Sequence, residues 1–244
     1  MNEHFIIQNQ PIPTIDIFAL FWFLFTWLGY GIFTSGRKKR RRILFSLVND
    51  HRLLWMRQLM KRDNRVLDMT AISNVMRNIS FFASTSILLA LGMASTLGVR
   101  DKIIETVSKL PFADAVPPFL WEIKIFLLVV VFIHTFFKFT WSLRLYNYVC
   151  VFVGAAPAHN EQLDTHELWI QRGWHLMNDA ARHFNLGMRA YYYGVAALAW
   201  FINGWCFFIA TSLVVAVLYR REFHSSVYYI LSNPLHDYDG AQND

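Results

Sequence analysis

Four long runs of apolar residues divide the chain. The first, between Asp16 and Arg37, contains no charged residue, and neither does the second, between Arg77 and Arg100. A helix of about 20 apolar residues is long enough to cross the hydrocarbon core of a bilayer. The four runs therefore predict membrane spans over about residues 17–36, 79–99, 121–143 and 192–219.

The polar stretches between these runs also have helical spacing. Lys138 and Arg144 interrupt the third run, so we expect one long helix that leaves the bilayer near Lys138 and continues into the cytoplasm; the alternative for 145–154 is a re-entrant segment. Segments 37–78 and 144–190 then form cytoplasmic helical extensions. The predicted fold is an all-α integral membrane protein, a single domain over residues 1–244 built as a bundle of about four transmembrane helices.

Composition and charge agree with this class and orient it. The chain is 55% hydrophobic and only 16% charged, and its net charge is +6. Six consecutive basic residues, Arg37 to Arg42, follow the first run directly, which indicates the cytoplasmic side of a span and not a nucleic-acid interface. With both termini on the outer side, 17 lysines and arginines fall inside and 6 outside, as expected from the excess of positive charge in cytoplasmic loops.

The stretch from Ile43 to Met60 is basic and amphipathic. Leu47 and Leu54 represent its apolar positions, and Arg52 and Arg57 its charged ones. Such a helix is predicted to lie in the headgroup layer of an anionic leaflet. The alternative is that it packs on the other cytoplasmic segment.

A row of small residues marks one side of the second span. Its members recur every four positions and therefore share a helix face: Ser86, Ala90, Ala94 and Gly98. Small side chains let a second helix approach closely, so the row predicts a helix-packing face and a homo-oligomer or an assembly with other membrane subunits. The alternative is that small residues lie there by chance and face lipid.

Arginine and asparagine residues recur together at the cytoplasmic ends of the second, third and fourth spans. They are Arg77, Asn78, Arg144, Asn147, Asn185 and Arg189. Guanidinium and amide groups together suit a phosphate or a carboxylate. If the three ends converge, the six residues are candidates for binding a lipid headgroup or a small anion. Otherwise each arginine reaches the interface independently and sets the topology.

Candidate metal ligands are sparse. His175, Asp179 and His183 share one helix face, but they span two turns and lack the glutamate of a zinc-protease motif, so a solvated polar face is the favoured interpretation. The two cysteines, Cys150 and Cys206, have no metal-binding spacing. No cofactor is predicted, and no motif for catalysis is present.

Three stretches carry a resemblance to a known family. They read NLGMRAYYYGVAALAWF from Asn185, MRNISFFAST from Met76 and RLYNYVCVFVGAAP from Arg144. Together they resemble the bacterial membrane family of domain of unknown function 599. The resemblance implies a multi-pass protein of the bacterial inner membrane, and it brings no activity with it. It also supports the arginines and asparagines inside these stretches as candidate binding residues.

Three classes of function follow from these patterns. The first is a non-enzymatic subunit, scaffold or accessory factor of a membrane complex, with a basic cytoplasmic face on anionic lipid. The second is a channel, transporter or lipid-handling protein that uses the arginine and asparagine cluster and the stretch from His134 to Lys138. The third is a metal-dependent enzyme in the histidine-rich segment. A nucleic-acid partner is not expected.

Overall fold

The computed structural model describes residues 13–37, 43–99, 102, 117–157 and 166–232, and these residues are helical with short connections. The helices are α1 (Thr14–Arg37), α2 (Leu44–Met60), α3 (Val66–Ser95), α4 (Pro118–Gly154), α5 (His166–Leu198), α6 (Gly204–Phe223) and α7 (Ser226–Ser232). The predicted all-α class is confirmed in this part of the chain. Residues 38–42 of the basic run lie outside the described residues.

Three of the described helices are long and apolar enough to cross a bilayer. Their segments are Thr14–Gly31, Val66–Val99 and Pro118–Gly154. Large apolar side chains stand exposed along them, among them Phe21 (66%) and Phe126 (70%). Contiguous apolar surface of this kind is unfavourable in water and favourable in lipid, so the chain is a membrane protein.

The fourth predicted span, residues 192–219, is wrong as a single helix. Helix α5 ends at Leu198, a 3₁₀ turn covers Ala199–Phe201, and α6 begins at Gly204. The Asn203 side chain caps α6 by accepting from the Cys206 amide at 2.7 Å. The chain then reverses direction. The contact that shows this is between the end of α6 and α5, where Arg221 donates to the Tyr192 hydroxyl at 2.9 Å. Hydropathy missed the reversal because the turn itself is apolar.

This reversal also changes where the described ends of the chain lie. Helix α6 runs parallel to α1: Gly204 lies against Asp16, and farther along Trp22 donates to the Ser212 hydroxyl at 3.1 Å. Thr14 and Phe223 are therefore at opposite ends of the bundle. The prediction that both termini face the same side depended on one continuous helix over 192–219, which the structure divides into two helices.

Helices α4 and α5 form an antiparallel pair at the centre of the protein. Along α5 a small residue faces α4 at every seventh position: Gly173, Ala180, Gly187 and Gly194. A Cβ atom on Gly187 would lie 2.7 Å from a ring carbon of Phe139, which is fully buried. Glycine is thus required at Gly187 by the close approach of the two helices.

The α4–α5 pair is longer than a bilayer is thick. Helix α4 has 37 residues and is about 55 Å long, whereas the hydrocarbon core is about 30 Å. One buried apolar cluster surrounds Trp200 and Phe23 at one end, and a second surrounds Met56 and Phe139 towards the other. The predicted continuation of the third helix is confirmed, because residues 145–154 are helical and not re-entrant.

Helix α2 packs on protein along its apolar side. Leu47, Met56 and Leu59 are almost fully buried, and Trp174 of α5 donates to the Asn49 carbonyl of α2 at 3.1 Å. These contacts support the alternative of a helix packed on the other polar segment. They leave Arg57 exposed beside Glu167, at 3.6 Å.

The small-residue row of the second span is divided in the structure. Ser86 and Ala90 are buried within the bundle, whereas Ala94 is half-buried and Gly98 is exposed in the 3₁₀ turn after α3. The first half of the row therefore packs inside this chain and is not available to a partner helix.

Two charged residues hold the α5–α6 reversal. Lys124 of α4 is 2% exposed and donates to the Trp200 carbonyl at 2.8 Å. The Trp200 indole in turn donates to Asp16 of α1 at 2.7 Å. Because the 3₁₀ turn interrupts the regular helical bonding, Lys124 supplies a partner that the Trp200 carbonyl lacks within the helix, while Asp16 fixes the Trp200 side chain.

We expect Gly187→Ala to lower the free energy of unfolding by about 1–3 kcal/mol, because the added methyl group would displace the buried Phe139 ring. Thermal unfolding of the purified protein in detergent measures the effect. Gly92→Ala is the matched control, since no atom lies within 4 Å of its Cβ position. Equal stability of the two variants would contradict the close approach.

We also expect Lys124→Met to destabilise the protein by about 1–3 kcal/mol, because the Trp200 carbonyl would lose a charged donor in a buried place. The same unfolding measurement applies. Lys138→Met removes a half-buried lysine of the same helix and should have a smaller effect. A Lys124 variant as stable as wild type would show that the lysine does not hold the reversal.

Candidate functional site

A cavity of about 320 Å³ lies where four helices meet at the carboxyl ends of α1 and α6. Its walls come from the end of α1, the first half of α2, the middle of α5 and the last turn of α6. The polar lining consists of Arg52, Arg182, Asn185, Arg189, Arg221 and Glu222, and the apolar lining includes Ile43, Leu44, Val48, Leu186, Met188 and Leu218. Its volume is within the range of small-molecule sites.

Arg189 and Glu222 are neighbours on the cavity wall. An Arg189 Nη2 atom lies 4.0 Å from Glu222 Oε2, which is an ion pair beyond hydrogen-bond length. The Arg189 guanidinium also lies 5.0 Å from the centre of the Tyr30 ring. A planar cation stacked on an aromatic ring keeps its edge N–H groups directed sideways for other acceptors.

Arg52 brings a partly buried cation to the same wall. Its Nη1 atom is buried and has no hydrogen-bond partner among the described residues. Its guanidinium lies 5.3 Å from the centre of the Phe45 ring. Burial lowers the pKa of Arg52 from its ordinary value, because a cation loses hydration there. A bound anion would offset that loss and supply an acceptor.

Positive charge is in excess in this cavity. Arg221 donates to the neutral Tyr192 hydroxyl. No described carboxylate forms an ion pair with Arg52, Arg182 or Arg221. Four guanidinium groups therefore face one carboxylate on a wall whose other residues, apart from Asn185, Tyr30 and Tyr192, are apolar. The cavity suits an anionic group attached to an apolar body.

The structure brings together only part of the predicted arginine and asparagine cluster. Asn185 and Arg189 line the cavity. The other four members, Arg77, Asn78, Arg144 and Asn147, are exposed and do not line it.

Arg144 and Arg77 have surroundings of their own. Arg144 donates to the Tyr148 hydroxyl one turn along α4, at 2.9 Å. Arg77 lines a separate surface groove on α3 with Arg65 and Asn74. The three helix ends therefore do not converge on one site.

Arg52, Arg182, Arg221 and Glu222 were missed as site residues from the sequence. One signal for them was present, because Arg182, Asn185 and Arg189 recur at spacings of three and four and so share a helix face. Arg52 was not considered because the packing of α2 was left open, and Arg221 was not considered because 192–219 was read as one continuous helix.

The histidine-rich face shows no arrangement for a metal. His175 and Asp179 are exposed, and His183 is half-buried with its ring 6.2 Å from that of Trp141. No group of three His, Cys, Asp or Glu side chains in the described ranges is placed to hold a metal ion. The weak metal alternative on this face gains no support.

Comparison with known families agrees with the resemblance noted above. Residues 18–227 match the family described as a protein of unknown function, DUF599. The chain belongs to this family. The DUF599 match covers every residue that lines the cavity. No curated protein and no solved structure matches the chain.

Proposed function

We propose that this chain binds a phosphate-bearing anionic amphiphile in the cavity between α1, α2, α5 and α6, on the cytoplasmic side of the bacterial inner membrane. The observation that carries the proposal is the excess of guanidinium groups over carboxylates on a wall that also presents apolar side chains. Arginine forks bind phosphate oxygens in pairs, and each such charge-assisted bond is about twice as strong as a neutral one.

The level of the cavity favours a membrane lipid as the source of the phosphate. Leu218 of the wall belongs to the apolar part of α6, and the charged end of the helix, with Arg221 and Glu222, follows within one turn. The cavity therefore lies where apolar surface gives way to charge. Phosphates of a leaflet occupy the same depth, and anionic lipid there attracts basic residues.

The orientation proposed here differs from the one expected from hydropathy. Helices α1, α3 and α4 would each cross the bilayer, and the carboxyl half of α5 and α6 would enter it from the cytoplasmic side and return there. With the carboxyl ends of α1 and α6 inside, 19 of the 23 lysines and arginines are cytoplasmic. That distribution satisfies the positive-inside rule better than the arrangement with both termini outside.

Binding of a lipid suits the lipid-handling hypothesis better than the scaffold hypothesis. The scaffold hypothesis depended on a small-residue face for a partner helix, and Ser86 and Ala90 are used within the bundle. A conduit hypothesis depended on His134 and Lys138, but His134 is exposed and its ring contacts Trp27, 5.6 Å between centres. The cavity is the better-defined feature.

Arg52→Ala and Arg189→Ala are each expected to weaken binding of a fluorescent phosphatidylglycerol at least about tenfold, because each removes a charged donor worth about 1.5–3 kcal/mol. Titration of the full chain in neutral detergent micelles measures the affinity. Arg144→Ala is the matched control, being an exposed arginine outside the cavity. Unchanged affinity in both cavity variants, or an equal loss in the control, would refute the proposed site.

A green fluorescent protein fused after residue 244 should fluoresce in bacterial cells, because α6 delivers the carboxyl end to the cytoplasm in the proposed orientation. An alkaline phosphatase fused at the same point should be inactive. Active phosphatase without fluorescence would instead support the arrangement with both termini outside.

A further inference from the structure

Glu222 is an unexpected residue in a cavity that would bind an anion. Its side chain is 16% exposed, and its Oε1 atom is buried with no hydrogen-bond partner among the described residues. Its other oxygen, Oε2, lies 4.0 Å from Arg189. A buried carboxylate oxygen without a donor is costly. A ligand that brings a hydrogen-bond donor into the cavity would supply the partner that this oxygen lacks among the described residues.

Arg52, on the same cavity, lacks a hydrogen-bond acceptor in the part of the chain that the structure describes, whereas Glu222 lacks a donor. The buried Nη1 group of Arg52 is a donor that lacks an acceptor among the described residues. One ligand satisfies both atoms if it carries an acidic oxygen for Arg52 and a donor for Glu222. A phosphate without a free hydroxyl satisfies only Arg52, and a second negative charge on that phosphate would be repelled by Glu222.

We infer that the cavity selects a polyol phosphate headgroup, a phosphodiester that also carries hydroxyl groups, and that Glu222 is the specificity-determining residue because it accepts a headgroup hydroxyl. An amine headgroup also offers a donor to Glu222. However, its positive charge is unfavourable beside Arg52, Arg182 and Arg221, which have no described carboxylate as a partner. This inference rests on the proposed function, since it concerns selection at the same site.

Displacement of a fluorescent phosphatidylglycerol from the full chain in micelles tests the inference. The competitors are phosphatidylglycerol, phosphatidate and phosphatidylethanolamine with identical acyl chains, and water-soluble glycerol phosphate. For the wild type, phosphatidylglycerol should displace the probe at about tenfold lower concentration than phosphatidate, since a polar group left unpaired in the site costs about that factor. It should also do so at lower concentration than phosphatidylethanolamine, whose positive charge is unfavourable beside the arginines. Glycerol phosphate should displace the probe more weakly, lacking the apolar part.

Two variants separate selection from binding. Glu222→Leu removes the acceptor, so the preference for phosphatidylglycerol over phosphatidate should fall to near unity. Glu222→Gln retains a carbonyl acceptor but loses the charge that repels a second phosphate charge, so it should keep part of the preference. A wild type that binds phosphatidate as tightly as phosphatidylglycerol, or a Glu222→Leu variant that keeps the preference, would overturn the inference while leaving the Arg52 and Arg189 results intact.

The remaining outcomes are also decisive. If glycerol phosphate displaces the probe as well as phosphatidylglycerol does, the ligand is a free polyol phosphate, and the proposal of a membrane lipid is overturned. Preference for phosphatidylethanolamine would show that Glu222 pairs with an amine, which contradicts the inference that it accepts a headgroup hydroxyl. Loss of binding by Arg144→Ala to the same extent as Arg52→Ala refutes the proposed function itself. The failure of the proposed function is thus distinguishable from the failure of the selection.

Discussion

The close contact between α4 and α5 is the constraint on which the rest of the structure depends. Glycine or alanine at every seventh position of α5 lets Phe132, Phe139 and Phe152 of α4 fill the space that larger side chains would occupy. The Ser142 hydroxyl then reaches the Ala180 carbonyl at 2.7 Å. Because the pair is longer than the bilayer is thick, it also joins the two apolar clusters.

The other helices are arranged around this pair. Helix α3 lies along α4, and Arg65, just before α3, donates to the Ala156 carbonyl after the end of α4 at 2.7 Å. Helices α1 and α6 lie together at the opposite end, where Trp200 connects Asp16 with Lys124. The cavity forms where α2 and the ends of α1 and α6 meet the exposed side of α5. The arginines of the cavity are therefore positioned jointly by the apolar helices α1 and α6 and by the polar segments α2 and α5.

Hydropathy and charge were sufficient to predict the membrane class and the long third helix, because both are properties of single segments. The reversal at residues 199–203 was not predictable in the same way. Its turn is made of apolar residues, and its polar stabilisation comes from Asp16 and Lys124, which are distant in sequence. A buried Lys124 near the predicted start of a span looks like an interfacial lysine until its partner is known.

The candidate site shows the same division. Asn185 and Arg189 were predicted because they stand at the end of an apolar run. Arg52 and Glu222 depend on how α2 and α6 pack, and packing is a property of several segments at once. The small residues that hold α5 against α4, three glycines and one alanine, recur every seven positions in the sequence, but they were not among the predicted helix-packing residues.

The pairing of α1 with α6 has a consequence for how the protein is made. Asp16 and the Trp200 indole that it accepts from are separated by 184 positions in the sequence. A ribosome synthesises α1 first and α6 almost last, so α1 enters the bilayer long before its native neighbours exist. During that interval the charge of Asp16 has no native partner. Completion of the chain, and not insertion of its first helix, is the event that fixes α1 in place.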